Sequence, residues 1–474
     1  MKKNILAVAV FSIFILSLLA TVTANANIIL PAVIGNNMVL EQRSSVKLWG
    51  WGNPTEKVLV TNSWDGKTDS TVVTANAKWE VMINTPVAGG PYTITIKGYN
   101  TIVLENVLIG EIWICSGQSN MEYNYYWGLP QMNADLPAIA NSNIRFFKIP
   151  RTTAEYPQDD CKSQWKLCDS NTVKAFSAVG YYFGKKLNSE LNVPIGLIDA
   201  SWGGTPAETW TPAELVNNDP VLKQAALKQT FSSGWPISPG YTYNGMIAPL
   251  TNYSIAGTIW YQGESNTGTA ATYYHLFSTM INAWREKWNK QFPFYYVQIA
   301  PYRYGNKNIA ALLREAQLKT LSQANVGMVV ITDLADDTTN IHPKDKRDVG
   351  FRLANLALVD TYGYTLPGVK SPEYKSMEIE NGKVVISFNN ADSDLTIKGE
   401  AVTGLLIGGS DKKFYPALAE FKQSKMIVWS DKVQKPVAVR YAFSNTAVGN
   451  IFNKKGLPLG PFRTDEWEVD TSKE

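Results

Sequence analysis

The sequence predicts an α/β domain with a mostly parallel sheet, flanked on both sides by β-rich, sandwich-like domains. Three observations carry this. Residues 27–106 read as short strands parted by turn clusters. From 107 to 365, strand-like runs alternate with amphipathic helices. Beyond 365 the short-strand pattern returns. With a leader set apart, the expected division is 1–26, 27–106, 107–365 and 366–474.

The leader comes first. Lys2 and Lys3 precede an apolar stretch from Ile5 to Ala20, and Ala24-Asn25-Ala26 offers a small-residue cleavage site. That is the pattern of a secretory signal peptide. No later segment approaches the length of a membrane span. The mature protein is expected to be soluble and secreted or periplasmic.

In the N-terminal module, Val46–Trp51, Val58–Thr61, Trp79–Ile83 and Tyr92–Lys97 alternate with turns such as Asn36-Asn37, Asp65-Gly66 and Gly89-Gly90-Pro91. This spacing suggests a small β-sandwich. The middle segment offers strands at Ile109–Cys115, Ile195–Ala200, Gly257–Tyr261, Phe294–Ile299 and Gly327–Thr332. Between them, Phe176, Val179, Phe183, Leu187 and Leu191 form one helical stripe. Tyr273, Leu276, Phe277, Met280, Ile281, Trp284 and Trp288 form another. Further helices are expected from Ile309 to Leu321 and from Lys344 to about Tyr362. Strands alternating with helices imply a parallel sheet covered on both faces, with ligands beyond the C-terminal strand ends. After Tyr364, short strands are expected at Met377–Ile379, Val384–Phe388, Leu395–Ile397, Met426–Trp429 and Val437–Tyr441.

Composition narrows the function. A net charge of +3 over 474 residues argues against a nucleic-acid footprint. The 15 Trp and 23 Tyr suit stacking on sugar rings, and equally suit filling large cores. Of three cysteines, Cys115 reads as a buried apolar residue, while Cys161 and Cys168 are close enough in sequence to pair in an oxidising compartment. No cysteine or histidine cluster has metal-ligand spacing, and no glycine-rich phosphate cradle is evident. No metal or cofactor is expected.

The candidate chemistry starts at the run Ile112–Cys115, which stops abruptly at Ser116-Gly117-Gln118-Ser119-Asn120. A serine just past a central strand has its hydroxyl exposed above the sheet, where hydrolases place a nucleophile. Ser119 needs a base, and the chain holds only two histidines. His275 falls on the polar face of its helix and reads as exposed. His342 lies in a loop after the strand Gly327–Thr332, at the same sheet edge as Ser119. An acid is expected to orient it, and the loop offers Asp333, Asp336 and Asp337. None immediately precedes His342; Asp337 is the candidate chosen, and a backbone carbonyl is the alternative.

Two more segments end strands at this edge. In Ser201-Trp202-Gly203-Gly204-Thr205 the glycines allow backbone N–H groups to approach an oxyanion, or simply make a tight turn. In Trp260-Tyr261-Gln262-Gly263-Glu264-Ser265-Asn266 the Gln262 amide is a candidate donor to the same oxyanion. Glu264 either braces the loop or touches His342. Glu264, Asn266, Tyr123 and Trp202 are the candidates for substrate contact, with Tyr123 the first of an aromatic group (Tyr123, Tyr125, Tyr126, Trp127) that could instead pack beneath a loop.

Taken together, GQSNM at 117–121, SWGGT at 201–205, NGMIAPL at 244–250, WYQGESN at 260–266 and IHPKDK at 341–346 resemble the sialate O-acetylesterase family of the SGNH hydrolase superfamily. The similarity extends from about residue 28 to GPFRTDEW at 460–467. The resemblance implies a three-layer SGNH-type α/β domain, Ser119 as nucleophile, His342 as base, and an oxyanion hole from the Ser119 N–H, a glycine of the 203–204 pair and Gln262. It departs at the acid: many SGNH enzymes carry Asp three residues before the histidine, where this chain has Thr339. A dyad and a triad both stay open. The expected activity is removal of O-acetyl groups from sialic acid or a related glycan through an acetyl-serine. Acetylxylan or another plant polysaccharide is the alternative substrate, and a non-catalytic glycan-binding protein the alternative class. The expected partner is an acetylated sugar; the oligomeric state is left open.

Overall fold

The computed structural model describes residues 27–473 except 231, 392–394 and 423. The expected leader, 1–26, lies outside the described residues. The protein is mixed α/β, with a central, mostly parallel sheet and further β-rich sheets before and after it.

The central sheet runs Val326–Val329, Phe294–Val297, Gly257–Tyr261, Thr101–Gly117, Ile195–Ser201, Asn141–Lys148 and Trp165–Cys168. Every neighbouring pair is parallel except the last, which is antiparallel. In chain order Asn141–Lys148 and Trp165–Cys168 lie to one side of Thr101–Gly117, Ile195–Ser201 then fills the place between, and the later strands step outward on the other side. Thr101–Gly117 is therefore the switch point, where loops from both halves diverge and leave a crevice. Both flanking strands were expected; Asn141–Lys148 and Trp165–Cys168 were not. The polar start of Asn141–Lys148, Asn-Ser-Asn, hides the run Ile144–Phe147, which is buried throughout.

The sheet is buried on both faces because its side chains alternate between two cores. Ile112 and Ile114 pack with Trp260, Tyr273, Phe277, Trp284 and Leu313. Trp113 and Cys115 pack with Val179, Phe183, Leu187, Val349 and Leu353. The helices Ala270–Trp288 and Ile309–Lys319 thus cover one face, and Ala178–Leu191 and Lys346–Asp360 the other. Three lie within the segments expected for them, and Ala270–Trp288 begins three residues before its expected stripe.

Thr101–Gly117 is 17 residues long. Its first half pairs with Gly89–Lys97, and Val39–Glu41 pairs with Leu108, Ile109 and Gly110. Its second half pairs with Ile195–Ser201 and Gly257–Tyr261. The division expected between 106 and 107 falls inside this one strand. The remaining N-terminal strands form the hairpin Lys57–Asn62 with Thr68–Val72 and the pair Ser45–Trp51 with Lys78–Asn84.

Beyond Asp360 the described strands form antiparallel sheets around a core that includes Val384, Ile386, Ile407, Val428, Val439 and Tyr441. This module is fastened to the helix Ile309–Lys319. Arg463 binds Glu315 bidentately at 2.8 and 2.9 Å, and the Asn445 side chain accepts the Ala310 N–H at 3.0 Å. Buried Arg314 donates to the carbonyls of Ser444 and Asn445.

Cys115, Cys161 and Cys168 are all free thiols. Cys168 is turned to the Ile139 carbonyl at 3.4 Å, so the pairing considered for Cys161 and Cys168 is not made.

Candidate active site

The central strand ends at Gly117, whose φ is +132°. A Cβ there would stand 2.2 Å from the Tyr261 carbonyl oxygen. Only glycine lets the two strand ends approach this closely before the chain turns. The turn continues directly into a short helix, Ser119–Glu122, so Ser119 sits at its first position. The Ser119 N–H has no intrahelical acceptor there, and none among the described residues.

His342 Nε2 is 2.8 Å from Ser119 Oγ. This is hydrogen-bond reach for a nucleophile and its base. The imidazole packs against the rings of Tyr123 and Trp127, at centroid distances of 5.7 and 6.3 Å. Its backbone N–H donates to the Asn340 side chain at 3.0 Å. Burial, and secondarily the nearby Lys346 ammonium, push the His342 pKa down to about 4. His275 is exposed, as expected, and paired with Asp219 at 2.6 Å.

Among the described residues, no acid hydrogen-bonds the imidazole. Asp337 instead accepts the N–H and hydroxyl of Thr339 at 2.8 and 2.6 Å, which hold its carboxyl below the usual range. It is exposed and shapes its own turn, so the expected Asp337–His342 contact is absent. Asp333 is committed to Arg352 through two bonds of 2.8 and 2.6 Å. Among the described residues, the only side-chain hydrogen bond of His342 is the one to Ser119.

The expected oxyanion donors divide. Gly203 lies beside Ser119, but its N–H donates to Glu122 Oε2 at 2.8 Å. Gly204, with φ +76°, has no backbone acceptor among the described residues and lines the pocket. Gln262 is fully buried and turned away: its amide nitrogen donates to Asn266 Oδ1 at 2.7 Å and the Thr205 carbonyl at 3.3 Å. Its oxygen accepts from the Tyr273 hydroxyl at 2.9 Å. Gln262 is thus a strut, because every polar atom of its amide is already used.

The substrate candidates shift in the same way. Asn266 is buried between Gln262, Glu208 and the Ala207 N–H. The Tyr123 hydroxyl donates to the Trp127 carbonyl at 2.6 Å, placing the ring under the loop. Trp202 donates to the Gly234 carbonyl at 3.0 Å and flanks Arg151. Of the four, only Glu264 lines the cavity beside Ser119, and its carboxylate braces Asn120 at 2.6 Å without touching His342.

That cavity measures about 460 Å³. Beyond Ser119, His342 and the glycines, its walls include Trp127, Arg151, Trp235 and Ile341. Trp127 is 39% and Trp235 49% exposed, so both present ring surface to a ligand. Arg151 binds Glu122 through two bonds of 2.7 Å. Sequence reasoning overlooked Arg151, because the strand it follows, Asn141–Lys148, was itself not expected. Trp235 carries no strand-end signal, since it belongs to an irregular loop. The NGMIAPL segment supports this wall: Asn244 donates to the carbonyls of Ala154 and Glu155, and so holds the strap that carries Arg151. Among the described residues, no group of three or more His, Cys, Asp or Glu is placed to hold a metal ion.

Comparison with known proteins places this geometry. The family model described as carbohydrate esterase, sialic acid-specific acetylesterase, matches residues 109–359, the stretch from the central strand through its last covering helix. The chain belongs to that family. It is 30% identical over 368 residues to the human sialate O-acetylesterase, covering 70% of each chain. It is 28% identical over 447 residues to the mouse sialate O-acetylesterase, covering 80% of this chain and 82% of that one. A crystal structure of a carbohydrate acetylesterase from Xanthomonas citri superposes with a TM-score of 0.85 at 35% identity, over 93% of this chain and all of that one. As a member of the sialic acid-specific acetylesterase family, the protein is a carboxylic-ester hydrolase.

Proposed function

We propose that this esterase removes O-acetyl groups from sialic acid or a related acetylated glycan by a serine acyl-enzyme route on an SGNH-type domain. The observation that carries this reading is the 2.8 Å contact of Ser119 Oγ with His342 Nε2 at the mouth of a cavity on the sheet's switch point. His342 takes the Ser119 proton as Oγ attacks the acetyl carbonyl. The oxyanion forms against the Ser119 N–H, with the Gly204 N–H as second donor. The tetrahedral intermediate collapses, and the sugar oxygen leaves with the proton from His342. Water, deprotonated by the same imidazole, then releases acetate. Ser119 and His342 act as a dyad. The fixed ring contacts with Tyr123 and Trp127 supply the orientation that an acid supplies in a triad.

One observation favours the plant-polysaccharide substrate as a second reading. A sialate carboxylate calls for a free cation. Arg151 is the only arginine or lysine lining the cavity among the described residues, and Glu122 already neutralises it bidentately. A neutral acetylated sugar meets no such conflict. Acetate release from acetylated sialoglycoprotein and from acetylxylan separates the two. Ser119→Ala is the control, and equal rates for it and the wild type on both substrates would remove the serine mechanism. Export is part of the proposal and rests on the charged, apolar and small-residue order of residues 2–26. No helix among the described residues is long and apolar enough to cross a membrane.

A further inference from the structure

The catalytic reading leaves one buried ionisable group unused. Lys346 is the first residue of the helix Lys346–Asp360, and it is completely buried. Its ammonium donates to Asn120 Oδ1 at 2.6 Å. Tyr123 and Tyr261 present ring faces to it at 4.9 and 5.3 Å. Such packing around a cation is costly unless its charge is used.

Asn120 is the residue after Ser119. Its amide nitrogen donates both to Glu264 Oε1 at 2.6 Å and to the Ile341 carbonyl at 3.1 Å. Ile341 is the residue before His342. One amide therefore joins the nucleophile's turn, the histidine's loop, the Glu264 loop and the Lys346 helix.

The charges around the ammonium are few. Glu264 and Asp345 face it and favour its protonated form, while burial opposes them and brings its pKa down to about 7. Glu264 has a second oxygen buried with no partner among the described residues, and burial raises its pKa. The phenol of Tyr261 is likewise buried and unpartnered. Tyr123, whose ring the ammonium faces at 4.9 Å, packs in turn against the His342 imidazole at 5.7 Å, and the ammonium opposes protonation of that imidazole. Among the described residues, no carboxylate bonds the imidazole to offset that effect.

We propose that Lys346 is a positioning residue for the Ser119–His342 pair: through Asn120 it locks the two loops together, and its charge keeps the imidazole in the neutral, proton-accepting form. In a triad the acid orients the base and stabilises its protonated state. Here a cation orients the base and stabilises the opposite state. The cost is a weaker proton acceptor; the gain is a base that stays unprotonated in acid. This inference rests on the serine-esterase reading above.

The test is the acid limb of kcat/KM for a chromogenic acetyl ester, read in each variant as a ratio to its own plateau, so that any inactive fraction cancels. Lys346→Met keeps the chain and loses the charge. Its acid limb should move up by about one pH unit, a roughly twofold loss near pH ~5 relative to the plateau. Lys346→Gln serves the same purpose where the methionine variant folds poorly, and Lys346→Arg should keep the wild-type limb. Asn120→Ala breaks the bridge and keeps the cation, so kcat should fall by about tenfold with the limb unmoved. KM should change little in all of them, because Lys346 does not line the cavity. An unmoved limb in the methionine and glutamine variants overturns the charge assignment. Absence of esterase activity in the wild type, or its survival in Ser119→Ala, overturns the underlying reading instead.

Discussion

The Glu122 carboxylate spans two neighbours of the nucleophile, accepting the Gly203 N–H at 2.8 Å while holding Arg151 through two 2.7 Å bonds. Glu122 lies on the helix that Ser119 begins. The loop after Ile195–Ser201 is thus tied to the helix of Ser119 by a backbone hydrogen bond, and the segment carrying Arg151 by an ion pair. Glu122→Ala should lower kcat/KM by about 10²-fold, since a small displacement of a catalytic loop has that order of effect. It should also destabilise the fold by about 1–3 kcal/mol through the unsatisfied Gly203 N–H, measurable by denaturant titration.

Replacing either member of the dyad is expected to be far more severe. Ser119→Ala and His342→Ala should each reduce turnover by ~10⁴-fold or more. The double variant should be scarcely worse than either single one, because the two act as a unit. Additive losses would show that they do not.

Asp337→Asn offers the opposite expectation. Its carboxylate serves Thr339, so kcat should stay within about twofold of wild type, against the ~10⁴-fold loss seen when a true triad acid is neutralised. Steady-state kinetics on an acetyl ester distinguishes these two outcomes at once.

Gln262→Leu tests the strut. Its amide bridges Tyr273, Thr205 and Asn266, all buried. The variant should lose about 1–3 kcal/mol of stability for the polar groups left unpaired. Loss of an oxyanion donor would instead lower kcat by about 10²–10³ in a fully folded enzyme. A melting curve beside a kcat measurement tells them apart.

The pH dependence has a definite sign. In the proposed mechanism His342 can act as a base only when neutral, and its pKa is held down to about 4, chiefly by burial. Activity should therefore persist well below the ordinary histidine range and fall only as pH drops through about 4. An acid limb near the usual 6.5 would mean the imidazole is better solvated than its packing with Tyr123 and Trp127 implies.

Much of the fold is legible because periodicity reports burial. Trp113 and Cys115 against Ile112 and Ile114 alternate cleanly between two cores, and the stripes of the four covering helices match the faces they bury. Ser119 and His342 are legible because topology puts strand ends together and histidine is scarce. What the sequence hides is the commitment of polar groups. Gln262 and Gly203 are of the right type and at the right edge, yet their hydrogen bonds go to Asn266 and Glu122. Such pairings join residues 4 and 81 positions apart, and no local pattern records which donor finds which acceptor. Lys346 was detectable in principle: Val349, Gly350 and Leu353 follow it at helical spacing on the buried face, where a lysine is out of place.

The strand Thr101–Gly117 leaves this enzyme without a clean cut point. Its hydrogen-bonded ladder starts among the N-terminal hairpins and finishes two residues before the nucleophile. Trimming the chain to the span of the family model, 109–359, would cut the strand partway, removing residues 101–108 and leaving Ile109 and Gly110 without Leu40, Glu41 and Gly89 as partners. The N-terminal strands are therefore no detachable cassette to be shuffled onto another hydrolase. Any engineered fusion or truncation has to inherit them together with Ser119.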